Sequence, residues 1–241
     1  MDILFYFLIF FVAFLYSSVG HGGASGYLAI MALYGFEPFI MKPSALILNI
    51  LVSAIAFIAY WRAGHFRFRL FWQFAIASFP MAFIGGMISI EPKIYKIILA
   101  IALLFALLRI VVTNYIKSDK TTVPSIYTSL ITGAILGFFS GLIGIGGGII
   151  LSPLFLIFNW GNMKETAAVS ALFIFVNSVS GFSSFVIYNN QLYENIYPML
   201  ILAVSGGLLG SYSGGFKLNS NVLRYFLAGV LLIASIKLLF V

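Results

Sequence analysis

The chain has 241 residues, of which 62% are hydrophobic and 8% are charged, and its mean hydropathy is +1.12. About one quarter of the residues in a soluble domain are charged, so the composition excludes a soluble globular protein and indicates an all-α polytopic membrane protein in the lipid bilayer. The net charge of +7 comes from Lys and Arg in short loops, which is typical of membrane proteins and indicates no nucleic-acid partner.

Eight apolar segments of the chain are long enough to cross a bilayer, which takes roughly 17–25 residues. In chain order they cover about residues 3–19, 44–61, 70–90, 94–112, 126–145, 166–188, 197–216 and 222–241. Two shorter apolar pieces, at about 24–36 and 148–158, each follow a Gly-rich stretch. This pattern predicts about 8 to 10 membrane helices.

The two Gly-rich stretches are "SSVGHGGASG" at Ser17–Gly26 and "SGLIGIGGGIILSP" at Ser140–Pro153. Glycine is unfavourable inside a helix, so each stretch predicts a helix that is broken within the membrane. A break leaves backbone polar groups that protein or a water-filled cavity must satisfy. The helix that follows a break directs its N–H groups and the positive end of its dipole into that cavity, which favours an anion.

The two halves of the chain repeat each other. "GHGG" at Gly20–Gly23 aligns with "GIGG" at Gly144–Gly147 at an offset of 124 residues, and "SAL" at Ser44–Leu46 aligns with "SAL" at Ser170–Leu172 at an offset of 126. The common order and spacing favour a duplication. We predict a first membrane repeat at 1–113, a linker loop at 114–125 and a second membrane repeat at 126–241.

The distribution of Lys and Arg predicts how the repeats are oriented. If the segments on either side of each break form a hairpin, each half crosses the membrane an odd number of times and the halves have opposite topology. One side then holds eight cations, Arg62, Arg67, Arg69, Lys117, Lys120, Lys164, Lys217 and Arg224, and the other holds four, Lys42, Lys93, Lys96 and Lys237. This asymmetry predicts inverted-topology repeats in a multi-pass protein of the bacterial inner membrane, with both termini outside.

The chemistry of the membrane segments narrows the class of substrate. All six Asp and Glu lie at segment ends or in loops, and the chain has no cysteine. This distribution disfavours a cation carrier and predicts no metal, no cofactor and no catalytic residues. No ATP-binding G-x-x-x-x-G-K-[ST] motif is present, so the chain alone is not a primary pump. A small anion bound near the membrane midplane, between the breaks, is the substrate that we expect.

The candidate substrate-binding residues border the breaks or lie on the spans that follow them: Ser17, Ser18, Gly20, His21, Gly22, Gly23, Ser25, Asn49, Ser140, Gly144, Gly146, Gly147, Gly148 and Asn177. His21 is the ionisable side chain within a break, so it is the candidate for proton coupling. The alternative is a neutral histidine that donates to a backbone carbonyl and fills space in the bend. Asn49 and Asn177 likewise either bind the anion or hydrogen-bond between packed helices.

The motifs "SSVGHGGASG" and "SGLIGIGGGIILSPLFLIF", each followed by a "SAL" segment, resemble the TauE/SafE sulfite exporter family of membrane transporters over nearly the whole chain. In that family two homologous halves each begin with a Gly-rich break that often ends in Pro. The second motif fits through Pro153, whereas the first has Ala24 at the third Gly and no Pro near Leu28. The resemblance implies export of sulfite or a small organosulfonate.

These observations lead to one main hypothesis and one alternative. The main hypothesis is a secondary transporter, an exporter of a small anion such as sulfite or an organosulfonate that is driven by the proton gradient. The alternative is a passive anion channel or a membrane scaffold that does not transport. An enzyme is not expected, and the sequence leaves a homodimer open.

Overall fold

The structure is a computed structural model that describes residues 2–112, 122–188, 196–214, 232 and 235–239. Within these ranges the chain forms helices and contains no strand. The helices of ten or more residues, numbered in chain order, are α1 Ile3–Ser17, α2 Ala24–Leu33, α3 Pro38–Arg62, α4 Phe68–Met87, α5 Pro92–Val112, α6 Ile126–Ile143, α7 Gly148–Ile157, α8 Met163–Tyr188 and α9 Ile196–Gly214.

Five of these helices, α3, α4, α6, α8 and α9, are long and apolar enough to cross a membrane. The prediction of an all-helical polytopic membrane protein is therefore confirmed. Helices α2 and α7 have ten residues each. A helix of that length extends about 15 Å, which is half of the roughly 30 Å hydrocarbon core of a bilayer. Each short helix is thus long enough to reach only the middle of the membrane.

The helix bounds differ from the predicted apolar segments most clearly at α3. The apolar segment begins at residue 44, but the helix begins six residues earlier, at Pro38. Proline is well suited to the first turn of a helix, where its missing N–H removes no helical hydrogen bond. Most of the predicted linker at 114–125 and most of the last predicted segment at 222–241 lie outside the described residues.

The chain reverses direction at each Gly-rich break. The ring of Phe5, at the start of α1, lies 5.0 Å from the ring of Tyr34, just after the end of α2. In the second half, the N–H of Thr122, ahead of α6, donates to the carbonyl of Asn159, just after α7, at 2.6 Å. Helices α1 and α2 therefore form one antiparallel hairpin, and α6 and α7 form another.

Glycines bring two pairs of helices into close backbone contact. Gly133 and Gly141 of α6 lie against the backbone of Phe74 and Ala82 of α4, where an added Cβ would clash. Because the contact positions advance together, α4 and α6 run parallel. Glycines of α9 contact the backbone of α1 in the same way, so this pair is parallel as well. Small residues allow such close approach of membrane helices.

The two longest helices, α3 and α8, cross at the centre of the molecule and run antiparallel. Asn49 of α3 donates to Ser178 of α8 at 3.2 Å, and Arg67, beyond the end of α3, pairs with Glu165 in the first turn of α8 at 2.7 Å. The start of α8 is fixed by a reciprocal cap in which Asn162 and Glu165 each accept a backbone N–H of the other at 3.0 Å.

Candidate functional site

The two breaks have left-handed glycines at two equivalent positions, and the second break has a third at Gly146, where Gly22 of the first break has none. Gly20 and Gly23 in the first break have φ angles of 77° and 98°, and Gly144 and Gly147 in the second have 89° and 72°. This left-handed conformation is open to glycine and strained for other residues. The glycines that repeat at an offset of 124 residues are therefore the ones that the two chain reversals require.

The two breaks meet between α3 and α8. Gly22 of the first break and Gly146 of the second both lie against Asn49 of α3 and Ile174 of α8. Asn49 and Ile174 are each near the middle of a helix of 25 or 26 residues. The meeting point of the breaks therefore lies about halfway along the two longest helices.

Asn49 joins the two breaks through its side-chain amide. Its Oδ1 atom accepts a hydrogen bond from the N–H of Ala24, the first residue of α2, at 3.1 Å. Its Nδ2 atom donates to Ser178 at 3.2 Å and to the carbonyl of Ile145 at 3.5 Å. Asn49 is 1% exposed. It therefore satisfies an otherwise unpaired N–H at the start of α2 and presents donors to the second break.

His21 connects the first break to the helix that follows the second. Its Nδ1 atom lies 2.9 Å from the carbonyl of Val19, and its Nε2 atom lies 2.7 Å from the hydroxyl of Ser152 in α7. The Ser152 hydroxyl also lies 2.8 Å from the hydroxyl of Ser170 and 2.8 Å from the carbonyl of Gly148. A hydrogen-bonded chain thus runs from the imidazole ring to α8.

The charge of His21 determines the direction of this hydrogen-bonded chain. The Val19 carbonyl only accepts, so Nδ1 carries a hydrogen in both charge states of the ring. In the neutral ring Nε2 accepts a hydrogen bond from Ser152, and in the imidazolium Nε2 donates to it. Protonation of His21 therefore turns the Ser152 hydroxyl away from the ring and toward the Gly148 carbonyl or the Ser170 hydroxyl.

The second break holds a group of buried hydrogen-bond donors that have no acceptor in the described part of the chain. No described residue accepts a hydrogen bond from the backbone N–H groups of residues 145–149. The hydroxyl of Ser140, which lies beside Gly147, also has no partner among the described residues. Buried N–H groups are nearly always paired. Successive N–H groups around left-handed residues such as Gly146 and Gly147 form a concave donor set that binds anions.

The first break has a related arrangement in which more N–H groups are paired, while those of Gly22, Gly23, Ser25 and Gly26 have no acceptor among the described residues. The N–H of Ala24 is taken by Asn49, and the N–H groups of Gly20 and His21 donate to carbonyls of α1. The hydroxyl of Tyr27, which is fully buried beside Gly23, has no partner among the described residues. Each break therefore places one unpaired hydroxyl next to the glycine that begins its short helix.

Negative charge is kept away from the breaks in the described part of the chain. The buried carboxylate of Glu165 is paired with Arg67 at the start of α8. No group of three His, Asp or Glu that could hold a metal ion occurs among the described residues. Among the described residues, no carboxylate accepts a hydrogen bond from the donors of the second break.

Three of the predicted site serines have partners outside the meeting point of the breaks. Ser17 donates to the Gly207 carbonyl of α9 at 2.6 Å, and Ser18 donates to a carbonyl of its own helix. Ser25 shares a 2.6 Å hydrogen bond with the hydroxyl of Tyr16. These bonds hold the first hairpin together and attach it to α9.

The predicted residue Asn177 is directed at α4 rather than at the breaks. Its Oδ1 atom accepts from Ser78 at 2.9 Å, and its amide donates to the carbonyl of Phe173 at 3.0 Å. The next residue, Ser178, contacts Asn49 instead. One residue rotates a position by about 100° around a helix, so spacing on the span alone did not identify which polar residue faces the breaks.

Sequence reasoning did not place two residues in the site that the structure brings to it, Tyr27 and Ser170. Ser152, by contrast, lies within the second Gly-rich stretch and was expected at the border of that break. Ser170 carried a usable signal, because it opens the second "SAL" motif. Tyr27 carried no such signal, because a tyrosine four residues after a glycine is ordinary in an apolar helix.

The chain is similar to known membrane transporters. The family model described as sulfite exporter TauE/SafE matches residues 5–238. A probable membrane transporter protein of Sinorhizobium fredii is 37% identical over 95% of each chain, and one of Bacillus subtilis is 23% identical over 95% of this chain and 96% of its own. A third, from Methanocaldococcus jannaschii, is 26% identical over 65% of this chain and 62% of its own. No solved structure matches.

The family match covers nearly the whole chain, so the resemblance first seen in the repeated Gly-rich motifs is confirmed. The family and the relatives are membrane transporters and not enzymes. The chain therefore belongs to the TauE/SafE sulfite exporter family of multi-pass membrane transporters.

Proposed function

We propose that this protein is a secondary transporter that exports a small anion, sulfite or an organosulfonate, from a site at the second break, driven by the proton gradient. The observation that carries the proposal is the buried donor set at residues 145–149, which has no acceptor among the described residues. Leaving a buried donor unpaired costs about 1–3 kcal/mol. A protein retains several such groups together where a ligand satisfies them.

The donors around the second break suit an oxyanion. The N-terminus of α7 supplies N–H groups and the positive end of the helix dipole. The Ser140 hydroxyl, which has no partner among the described residues, adds a neutral donor from α6. Neutral donors bind an anion without the strong attraction of a buried ion pair, so release remains possible. Sulfite and sulfonates present three oxygens to such a set, and the family description supports this substrate class.

We further propose that residues 1–113 and 126–241 are inverted repeats joined by the linker 114–125. The antiparallel crossing of α3 and α8, which both begin near a "SAL" motif, supports opposite topology. The matching φ angles of the two breaks support equivalence of α1–α2 and α6–α7. With the Arg-rich loop after α3 in the cytoplasm of a bacterial cell, α1 and α3 begin at the outer face and both termini lie outside.

The proposed coupling of protons to transport depends on His21. The hydrogen-bonded chain from His21 through Ser152 ends at Gly148, the first residue of α7. Protonation turns the Ser152 hydroxyl toward the Gly148 carbonyl or the Ser170 hydroxyl, and so changes the hydrogen bonding of the helix whose N-terminus holds the anion. A positive charge on the ring also attracts the anion directly.

Reconstituted liposomes test the proposed function. Vesicles are loaded with radiolabelled sulfite or with isethionate, a stable sulfonate, and efflux is followed with and without an imposed pH gradient. The proposal predicts saturable efflux that responds to the gradient and is absent from protein-free vesicles. Non-saturating efflux that ignores the gradient would identify a passive channel instead. Absence of efflux for every anion tested would overturn the transport proposal.

A further inference from the structure

A cavity of about 220 Å³ lies between the second break and the face of the protein at which α3 begins. Its lining includes Glu37 and Lys42 of the α3 start, Tyr95 of α5 and Leu142 of α6. This face also carries Phe5 and Tyr34, where the first hairpin opens. The cavity therefore occupies the outer half of the protein in the orientation proposed above.

The cavity lies next to the second break and is separated from it by Lys42 and the end of α6. Leu142, which lines it, is two residues before Gly144, and Gly144 lies against the backbone and side chain of Lys42. Tyr95 closes the end of α6 by donating to the Ile143 carbonyl at 2.8 Å. From Gly144 the chain continues at once to Gly146, where the two breaks meet. Lys42 thus lies between the cavity and the second break.

Lys42 is suited to hold an anion at this position. Its ammonium donates to the Gly86 carbonyl at 3.0 Å, and it forms no ion pair among the described residues. An ammonium has three donors, so donors remain after this bond. The residue at an offset of 126, Ala168, is apolar and buried, so the second repeat has no equivalent cation at its own opening.

We propose that this cavity is the outer vestibule of the transport path and that Lys42 is a second anion-binding position within it. The inference rests on the anion site proposed at the second break, from which the vestibule receives the anion. The anion takes one or two of the free Lys42 donors while the Gly86 carbonyl keeps its bond, and the anion then leaves to the outer solution. Lys42 is therefore a binding residue whose charge sets the apparent affinity for the anion at the outer face.

Chemical replacement of the Lys42 charge tests the proposal. The chain has no cysteine, so a Lys42→Cys protein carries one thiol. Alkylation with 2-bromoethylamine forms a thioether that restores an ammonium, iodoacetamide gives a neutral side chain, and iodoacetate gives a carboxylate. These thioethers resist sulfite, which cleaves disulfides. We expect the KM for anion uptake from the outer face to rise about tenfold with the neutral group, to rise further with the carboxylate, and to return close to the original value with the ammonium.

Two variants distinguish a role of Lys42 in anion binding from a role in the stability of the fold and from a general effect of surface charge. Lys42→Gln retains an amide that donates to Gly86, so it keeps the structural bond and loses only the charge; its KM should rise as for the neutral adduct, with little change in kcat. Lys93→Gln removes an exposed charge from the first turn of α5 at the same face, and its KM should stay within twofold.

The outcomes distinguish this inference from the proposed function. Equal KM values for all three adducts and for Lys42→Gln, in a protein that transports, would overturn the role of Lys42 and leave the site at the second break in place. An equal rise in KM for Lys93→Gln would assign the effect to general surface charge, and so would also overturn it. Failure of the unmodified protein to move any anion would count against the proposed function itself.

Discussion

The two breaks reverse the chain in a similar way and differ in the side chains and hydrogen bonds that surround the reversal. Both reverse the chain through glycines with positive φ at equivalent positions. In the first break Asn49 takes the N–H of Ala24, and His21 bonds to Val19 and Ser152. In the second, Ile145 stands where His21 stands in the first, and the N–H groups of residues 145–149 have no acceptor among the described residues. The first break has four such N–H groups, at Gly22, Gly23, Ser25 and Gly26, so the breaks differ at the two positions where the first break pairs its N–H groups, His21 and Ala24.

This difference indicates that duplication of a backbone does not duplicate a function. A Gly-rich reversal supplies donors wherever it occurs, but side chains decide whether those donors stay available. We infer that the second break keeps the binding role, and that the first break supplies the groups that regulate it. Lys42, which has Ala168 at the equivalent position, extends the same asymmetry to the outer face.

The largest effect is expected from Gly146→Ala. At φ 74° a side chain is strained by about 1–2 kcal/mol, and the added Cβ would displace the Asn49 amide. Loss of two hydrogen bonds to the anion, each worth about 1.5 kcal/mol, should lower kcat/KM for efflux about a hundredfold. Gly35→Ala is the matched control, because Gly35 has φ 76° and open space around it. Equal losses in both variants would mean that backbone strain alone explains the effect.

Removing the residue that joins the breaks should have the next largest effect. Asn49→Leu deletes the bond to Ala24 and the donors facing the second break, so we expect KM to rise about tenfold and the protein to be destabilised by about 1–3 kcal/mol. Asn177→Leu removes an equally buried amide that bonds to α4, and it should lower the unfolding temperature with KM nearly unchanged. An equal change of KM in the two variants would contradict a specific role for Asn49 in anion binding.

His21→Ile gives the first break the side chain that the second break has. Transport should persist at a few-fold lower rate, because the donors at residues 145–149 remain. Efflux should, however, lose its response to an imposed pH gradient, because Ser152 no longer faces a titrating group. Efflux measured at matched anion gradients and several pH differences checks this result. An unchanged response would remove His21 from proton coupling and support its alternative role as a space-filling residue in the bend.

The smallest effect is expected from Ser140→Ala. The hydroxyl has no partner among the described residues, so its loss should not reduce stability, whereas KM should rise about fivefold through one lost donor of about 1 kcal/mol. Ser17→Ala provides the opposite pattern, since that hydroxyl donates to Gly207. It should reduce stability by about 1 kcal/mol and leave KM unchanged. Thermal unfolding and efflux kinetics of both variants show whether Ser140 acts in anion binding and Ser17 in stability.

The sequence predicted those features of the architecture that depend on interactions between residues close together in the chain. Unbroken apolar runs and Gly-rich interruptions identified the membrane helices and the positions of Gly20, Gly23, Gly144 and Gly147, because hydropathy and backbone strain act within a few residues. The partners of individual side chains depend on how helices cross. Asn177 was predicted beside the breaks and lies against Ser78, while Ser178 makes the central contact. The spacing of residues along one helix does not show which neighbouring helix each side chain will contact.

The most direct test of the anion site is the behaviour of the backbone amides in the second break. Protein labelled with ¹⁵N-glycine is titrated with isethionate or sulfite, and the amide proton shifts are assigned by single substitutions. We predict that the amide proton resonances of Gly146, Gly147 and Gly148 shift downfield and saturate together, while those of Gly35 and Gly64 do not shift. Unmoved amides at Gly146–Gly148 in a protein that transports the same anion would contradict it.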